Sequence, residues 1–147
     1  MQQTKRRPVD VLLEKYSASH QNPVNDLIHF VCVPAIMFSL LGMLWTFHPF
    51  AAIGMVVASH VYYCMLSVQL MCGMLAMSCA MLGALHALPQ DLVFPLSAIV
   101  FVLAWIGQFI GHKIEGKKPS FLEDLRFLLI GPLFVLGFLY RRLRIKY

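Results

Sequence analysis

The chain has 147 residues, about one domain's worth. It is 59% hydrophobic and 13% charged, with mean hydropathy +0.72, whereas a soluble domain is roughly a quarter charged. These figures exclude a disordered chain, a small disulfide scaffold and an ordinary soluble domain, and they predict one all-α polytopic membrane domain over residues 1–147.

The net charge of +5 is unevenly placed. All 12 Lys and Arg lie within residues 1–15 or 113–147, and between Leu27 and His112 the only formal charge is Asp91. Basic residues that flank apolar segments are membrane anchors, so the basic pI is no argument for nucleic acid.

Residues 1–22 lack the apolar core of a signal peptide. Within them Pro8 to His20 reads as an amphipathic helix, with Val9, Leu12, Leu13 and Tyr16 at helical spacing and His20 extending that face. Asn22-Pro23 then reads as a helix start, Asn as N-cap and Pro at the first position. A bilayer core needs about 20 apolar residues as helix, which predicts spans over 27–47, 50–66, 69–88 and 92–110. The polar Ser67-Val68-Gln69 group is the break between the second and third. In the third span Ala76, Ala80 and Ala84 recur every four residues, a stripe suited to close helix packing. The last apolar stretch, Phe127 to Tyr140, is interrupted by Gly131-Pro132 and is short for a crossing, so an interfacial or re-entrant helix is expected over 125–141.

With four spans both termini share one side. That side carries every Lys and Arg, so it is expected to be cytoplasmic, with the lipid bilayer as the protein's first partner. The cysteines Cys32, Cys64, Cys72 and Cys79 sit in apolar stretches without a CxxC pair, and are expected to be free.

Ionisable groups near a bilayer are costly, so their placement is informative. Tyr16 and His20 are four residues apart, as are Asn25 and His29, while Gln108, His112 and Glu115 fall on one stripe. The expected topology brings all of these to one membrane boundary. His20, His29 and His112 with a carboxylate make a plausible metal site: neutral imidazole suits Fe, Zn or Cu, and His with a carboxylate and open positions suits non-haem iron; ordinary interfacial histidines are the competing reading. Glu115 has three readings: a partner of a ligating imidazole, a ligand itself, or a surface pair with Lys118. His60, about 9 Å inside the same boundary by helix rise, is the candidate fourth ligand or a buried hydrogen-bonded residue. His48 and His86 belong to the opposite end. Histidine boxes of the HxxxH or HxxHH kind, HExxH, GxSxG and phosphate loops do not occur.

The run YSASHQNPVNDLIH at residues 16–29, followed by Cys32 and Pro34, resembles one signature of the membrane-bound 2-hydroxy-fatty-acid dioxygenase family. The run WIGQFIGHKIEGKKP at 105–119 resembles the other, and Gly131-Pro132 matches as well. The likeness covers nearly the whole chain and is to a compact, bacterial-type branch. It implies a multi-pass enzyme that uses Fe(2+) and O2 to shorten a 2-hydroxy fatty acid by one carbon, at a bacterial inner membrane or, in a eukaryote, the endoplasmic reticulum. It implies His20, His29 and His112 as iron ligands, and Tyr16, Asn25, Gln108 and Glu115 as residues beside iron or substrate. Two positions depart: Phe101 and Phe138 stand where many relatives carry His and Glu. A non-catalytic membrane protein that binds lipid or a partner, and a small transporter, are the alternatives. Stoichiometric iron is required only by the first reading.

Overall fold

The computed structural model describes residues 6–147, so the first five residues of the N-terminal segment lie outside the described residues. The described residues form helices joined by short turns: α1 (Pro8–Ser17), α2 (Pro23–Phe47), α3 (Pro49–Leu66), α4 (Val68–Ala87), α5 (Gln90–Glu115) and α6 (Phe127–Arg142), with a 3-10 turn at Ser120–Leu122. Four of them, α2 to α5, are long and apolar enough to cross a membrane.

Local chemistry sets the boundaries. The Asn22 side chain accepts the Val24 N–H at 2.9 Å and Pro23 occupies the first turn. That cap starts α2 at Pro23 rather than Leu27, which draws the polar Asn25 and Asp26 into the helix. His48 caps α3 through Nδ1, which accepts from Phe50 N–H, and Ser67 caps α4 through its hydroxyl. Two α-helices can therefore follow each other with a single extended residue between them. α5 outruns the expected 92–110 at both ends and closes only at Gly116, whose φ of 73° is the left-handed conformation that glycine adopts without strain. α1 is shorter than expected. It ends at Ser17, and His20 hangs from the turn that follows.

The tightest seam joins α2 to α5. A Cβ on Gly107 would lie 2.6 Å from Cys32 Sγ, and one on Gly111 or Gly42 would overlap Asn25 Oδ1 or Ser97 Oγ. Small residues let two backbones approach closely where lipid offers no hydrophobic drive. The alanine stripe is not such a seam: Ala76, Ala80 and Ala84 are exposed, and α4 turns Leu70, Met74, Ser78 and Leu85 inward instead. A four-residue spacing marks a face without saying which way it points. The four cysteines are free.

α6 lies across the end of the bundle where α3 gives way to α4. Tyr63 of α3 donates its hydroxyl to Leu129 O, and Tyr140 of α6 donates to Gln69 O at the start of α4, both at 3.1 Å. α1 covers α6 in turn, with Val9, Leu13 and Tyr16 buried against Phe127, Ile130, Leu133 and Phe134. The Arg7 side chain donates to the Tyr147 backbone oxygen, so the first and last described segments meet at this same end. A second apolar cluster, Leu41, Ala52, Val56, Leu85 and Val93, fills the other end of the bundle.

Candidate metal centre and adjoining cavity

Three buried imidazoles converge beneath α1. His20 is 3% exposed, His29 1% and His112 6%. Their ring centroids stand 4.3 Å apart for His20 and His29, 4.9 Å for His29 and His112, and 5.2 Å for His20 and His112. One nitrogen from each lies within 4.8 Å of the others. The three come from the turn after α1, the second turn of α2 and the last turn of α5, so only the folded bundle assembles them.

The backbone orients two of these rings. His20 Nδ1 is 2.8 Å from Tyr16 O and His29 Nδ1 is 2.9 Å from Asn25 O. A carbonyl oxygen can only accept, so each Nδ1 carries the proton and each Nε2 presents a lone pair. His20 Nε2 and His112 Nδ1 are buried without a partner among the described residues. Unpartnered buried polar atoms are rare, and here they sit beside one another in a set of neutral nitrogen donors. Imidazoles whose second nitrogen is held by a carbonyl are the usual arrangement of metal-ligating histidine, so the donor set fits a divalent transition metal. Burial pushes the His20 imidazole below its ordinary value, with the Tyr16 carbonyl opposing in part, which favours the neutral ring a metal requires.

Tyr16 stacks on His20 with centroids 4.2 Å apart and planes 11° from parallel. A Cβ at position 131 would come 3.0 Å from the Tyr16 hydroxyl, so Gly131 leaves the room this ring needs. Burial raises the Tyr16 phenol, which stays protonated. Asn25 is fully buried on the α2–α5 seam, and its side-chain amide donates to Glu115 Oε2 at 3.1 Å.

The Glu115 carboxylate bonds the segment ahead of α2. Oε1 accepts from Gln21 N–H at 2.8 Å, and Oε2 from Asn22 N–H at 2.9 Å. The carboxylate therefore ties the end of α5 to the open amides ahead of α2, where a negative charge also suits the helix dipole. It hydrogen-bonds neither His112 nor Lys118. Its route to the imidazoles runs through Asn25, whose own carbonyl holds His29. Nearby, Lys117 donates to Ala18 O, and the Ser19 and Ser120 hydroxyls meet at 2.5 Å, closing the loop after α5 onto the turn that carries His20.

His60 is not a member of the converging group. Its Nδ1 bonds Val56 O at 2.7 Å and its ring lies against Tyr63 at 5.6 Å. His48 and His86 stand at the far end, against Phe50 and Trp45. Of the two departures, Phe101 packs on Trp105, and Phe138 packs on Phe30.

A cavity of about 70 Å³ opens beside the triad, lined by Tyr16, His29, Gln108, His112, Trp105 and Ser120 among others. Trp105 was not singled out by spacing. Its indole Nε1 is buried without a hydrogen-bond partner among the described residues. Asp26 Oδ1, also unforeseen, is likewise unpaired among them. Both residues lie within the two signature runs, where neither carries an assigned role.

The chain matches a family model described as 2-hydroxy-palmitic acid dioxygenase Mpo1-like over residues 7–143. It is 33% identical, over 129 residues, to the 2-hydroxy-palmitic acid dioxygenase MPO1 of Saccharomyces cerevisiae, covering 82% of this chain and 73% of the yeast protein. No solved structure matches. The match runs from the residue before α1 through the end of α6 and takes in all three histidines, so the chain belongs to the Mpo1-like family of 2-hydroxy-palmitic acid dioxygenases.

Proposed function

We propose that this protein is an Fe(II)-dependent dioxygenase that oxidises 2-hydroxy fatty acids at the cytoplasmic face of a membrane, converting the acid and O2 to an acid one carbon shorter, CO2 and water. The observation that carries the reading is the convergence of three buried imidazoles from separate segments, in a chain that belongs to the Mpo1-like family of 2-hydroxy-palmitic acid dioxygenases. His20, His29 and His112 would hold the metal. When bound, Fe(II) supplies the redox chemistry that lets O2 react with a 2-hydroxy acid.

The remaining work falls to the chain. The Tyr16 and Asn25 carbonyls hold the His20 and His29 rings in the ligating tautomer. The indole N–H of Trp105 and the buried amide of Gln108, both on the cavity wall, are donors suited to the oxygens of the acid's head. Tyr16, its phenol kept protonated, packs over His20 and shields that ring from solvent. Glu115 locks the α5 end to the start of α2, and with it the relative positions of His112 and His29. The cytoplasmic assignment rests on the basic residues that all flank this end of the spans.

Product analysis tests the reading. Purified protein with Fe(II) and a long-chain 2-hydroxy acid should yield the acid one carbon shorter in air and none under anaerobic conditions. Equal product without O2, or none with it, would overturn the assignment.

A further inference from the structure

Beside the histidine cavity lies a second, larger one of about 410 Å³. The two share five wall residues, Ile36, Met37, Trp105, Leu128 and Pro132, so they adjoin with Trp105 at the neck. From there the chamber runs along α2 to Leu41 and is lined on its other sides by Met55 of α3, Ser78 of α4 and Phe101 of α5. The 12 steps along the helix from His29 to Leu41 correspond to a rise of about 18 Å.

The walls are almost wholly carbon. Of the polar groups on them, the Ser59 hydroxyl is taken up by Val56 O at 2.8 Å and the Tyr63 hydroxyl by Leu129 O at 3.1 Å. A polar ligand would enter unpaired and at a cost; a hydrocarbon would not. The chamber is not sealed: Met55, Leu125 and Leu128 on its wall are 37%, 73% and 47% exposed. Its size lies within the range of small-molecule sites. A fully extended alkyl chain advances about 1.25 Å per carbon, from bonds of ~1.5 Å at near-tetrahedral angles. An ~18 Å path therefore takes a chain of roughly 14 carbons.

We propose that this chamber seats the hydrocarbon tail of the substrate, and that Leu41, Met55 and Ser78 form the floor that sets the preferred chain length. The proposal rests on the reading of the substrate as a 2-hydroxy acid, with the head held at the histidine cavity. Phe101 then serves as tail wall.

The test uses the full chain in detergent and a graded series of straight-chain 2-hydroxy acids, with two readouts: thermal stabilisation on binding, and product formed with Fe(II) and O2. Ser78→Met fills the floor, and Leu41→Ala deepens it. One methylene too many in an apolar pocket is worth about 10-fold or more. Ser78→Met should thus weaken binding of the longest acids by about 10-fold and leave short ones unchanged. Leu41→Ala should move the preference to longer acids. Should Ser78→Met fail to fold, the shift in Leu41→Ala decides alone. An identical length profile in wild type and a folded variant overturns the proposal, as does wild-type binding that is indifferent to length. Such an outcome is what a chamber occupied by bilayer lipid instead would give. Length-graded binding that shifts in the variants, with no oxidation of any acid, upholds the chamber and sinks the dioxygenase reading. Oxidation with an unshifted profile does the reverse.

Discussion

The two ends of the helix bundle are built from the same apolar helices and differ in what closes them. At the far end, His48 and Ser97 are the polar residues of note, the turns are short, and Leu41, Ala52, Val56, Leu85 and Val93 fill the space between helices. At the near end, α1 and α6 cover the bundle, and beneath them lie His20, Asn25, His29, Gln108 and His112, all buried. Burying polar groups without partners is costly. Among the described residues the near end carries that cost at His20 Nε2, His112 Nδ1, Trp105 Nε1, Asn25 Oδ1 and Asp26 Oδ1, and the far end at Ser97 Oγ. A fold that merely needed to close would repeat the far end's solution, so the contrast argues that the near end is built for a ligand.

The sharpest way to break the comparison is to remove histidines from each end. His20→Ala, His29→Ala or His112→Ala should abolish turnover of a 2-hydroxy acid. His48→Ala and His86→Ala, at the far end, should leave it within two-fold. Assays of the five variants side by side check this. Loss in His48→Ala with retention in His29→Ala would move the site to the other end.

Next in size is the cover itself. Leu13 is buried in the contact between α1 and α6. Its truncation to Ala should cost about 2–5 kcal/mol, read as a lowered unfolding midpoint, and should loosen the turn that carries His20. Val61, exposed on α3, should tolerate the same truncation with a change within about 0.5 kcal/mol.

A comparable but more local effect is expected at Glu115. Gln keeps one carbonyl oxygen where the carboxylate has two that accept from Gln21, Asn22 and Asn25. Glu115→Gln should cost about 1–3 kcal/mol and lower activity roughly 10-fold or more by releasing Asn25, the order seen when the partners of metal ligands are lost. Lys118→Ala should change neither. Equal behaviour of the two variants would return Glu115 to the role of a surface pair.

The smallest contrast separates two glycines. At Gly111 a Cβ would run into Asn25 Oδ1, whereas at Gly54 it would meet nothing within 4 Å. Gly111→Ala should therefore lose stability and activity. Gly54→Ala should gain up to about 1 kcal/mol from helix propensity alone. Chemical denaturation of both variants checks the pair.

Sequence carried the architecture well, because long apolar runs, Pro and Gly punctuation and one-sided charge are local signals. It brought His20, His29 and His112 to one end for the same reason: helix spacing plus an even number of spans. It did not foresee which groups those residues would bond. Glu115 shares a stripe with His112, yet its carboxylate is captured by backbone amides of residues 21 and 22, which have no sequence signature. The alanines of α4 show the same limit, since periodicity defines a face and the partners decide its direction. Trp105 opens the second signature run, yet its role was not legible there, because an indole N–H with nothing to bond is a property of the assembled cavity.

Iron content tests the central claim most directly. Protein purified without O2, loaded with Fe(II) and freed of excess metal should carry one iron per chain in the wild type and in His48→Ala. His20→Ala, His29→Ala and His112→Ala should carry none, while remaining folded by circular dichroism. Undiminished iron in a folded protein lacking all three near-end histidines would contradict the account.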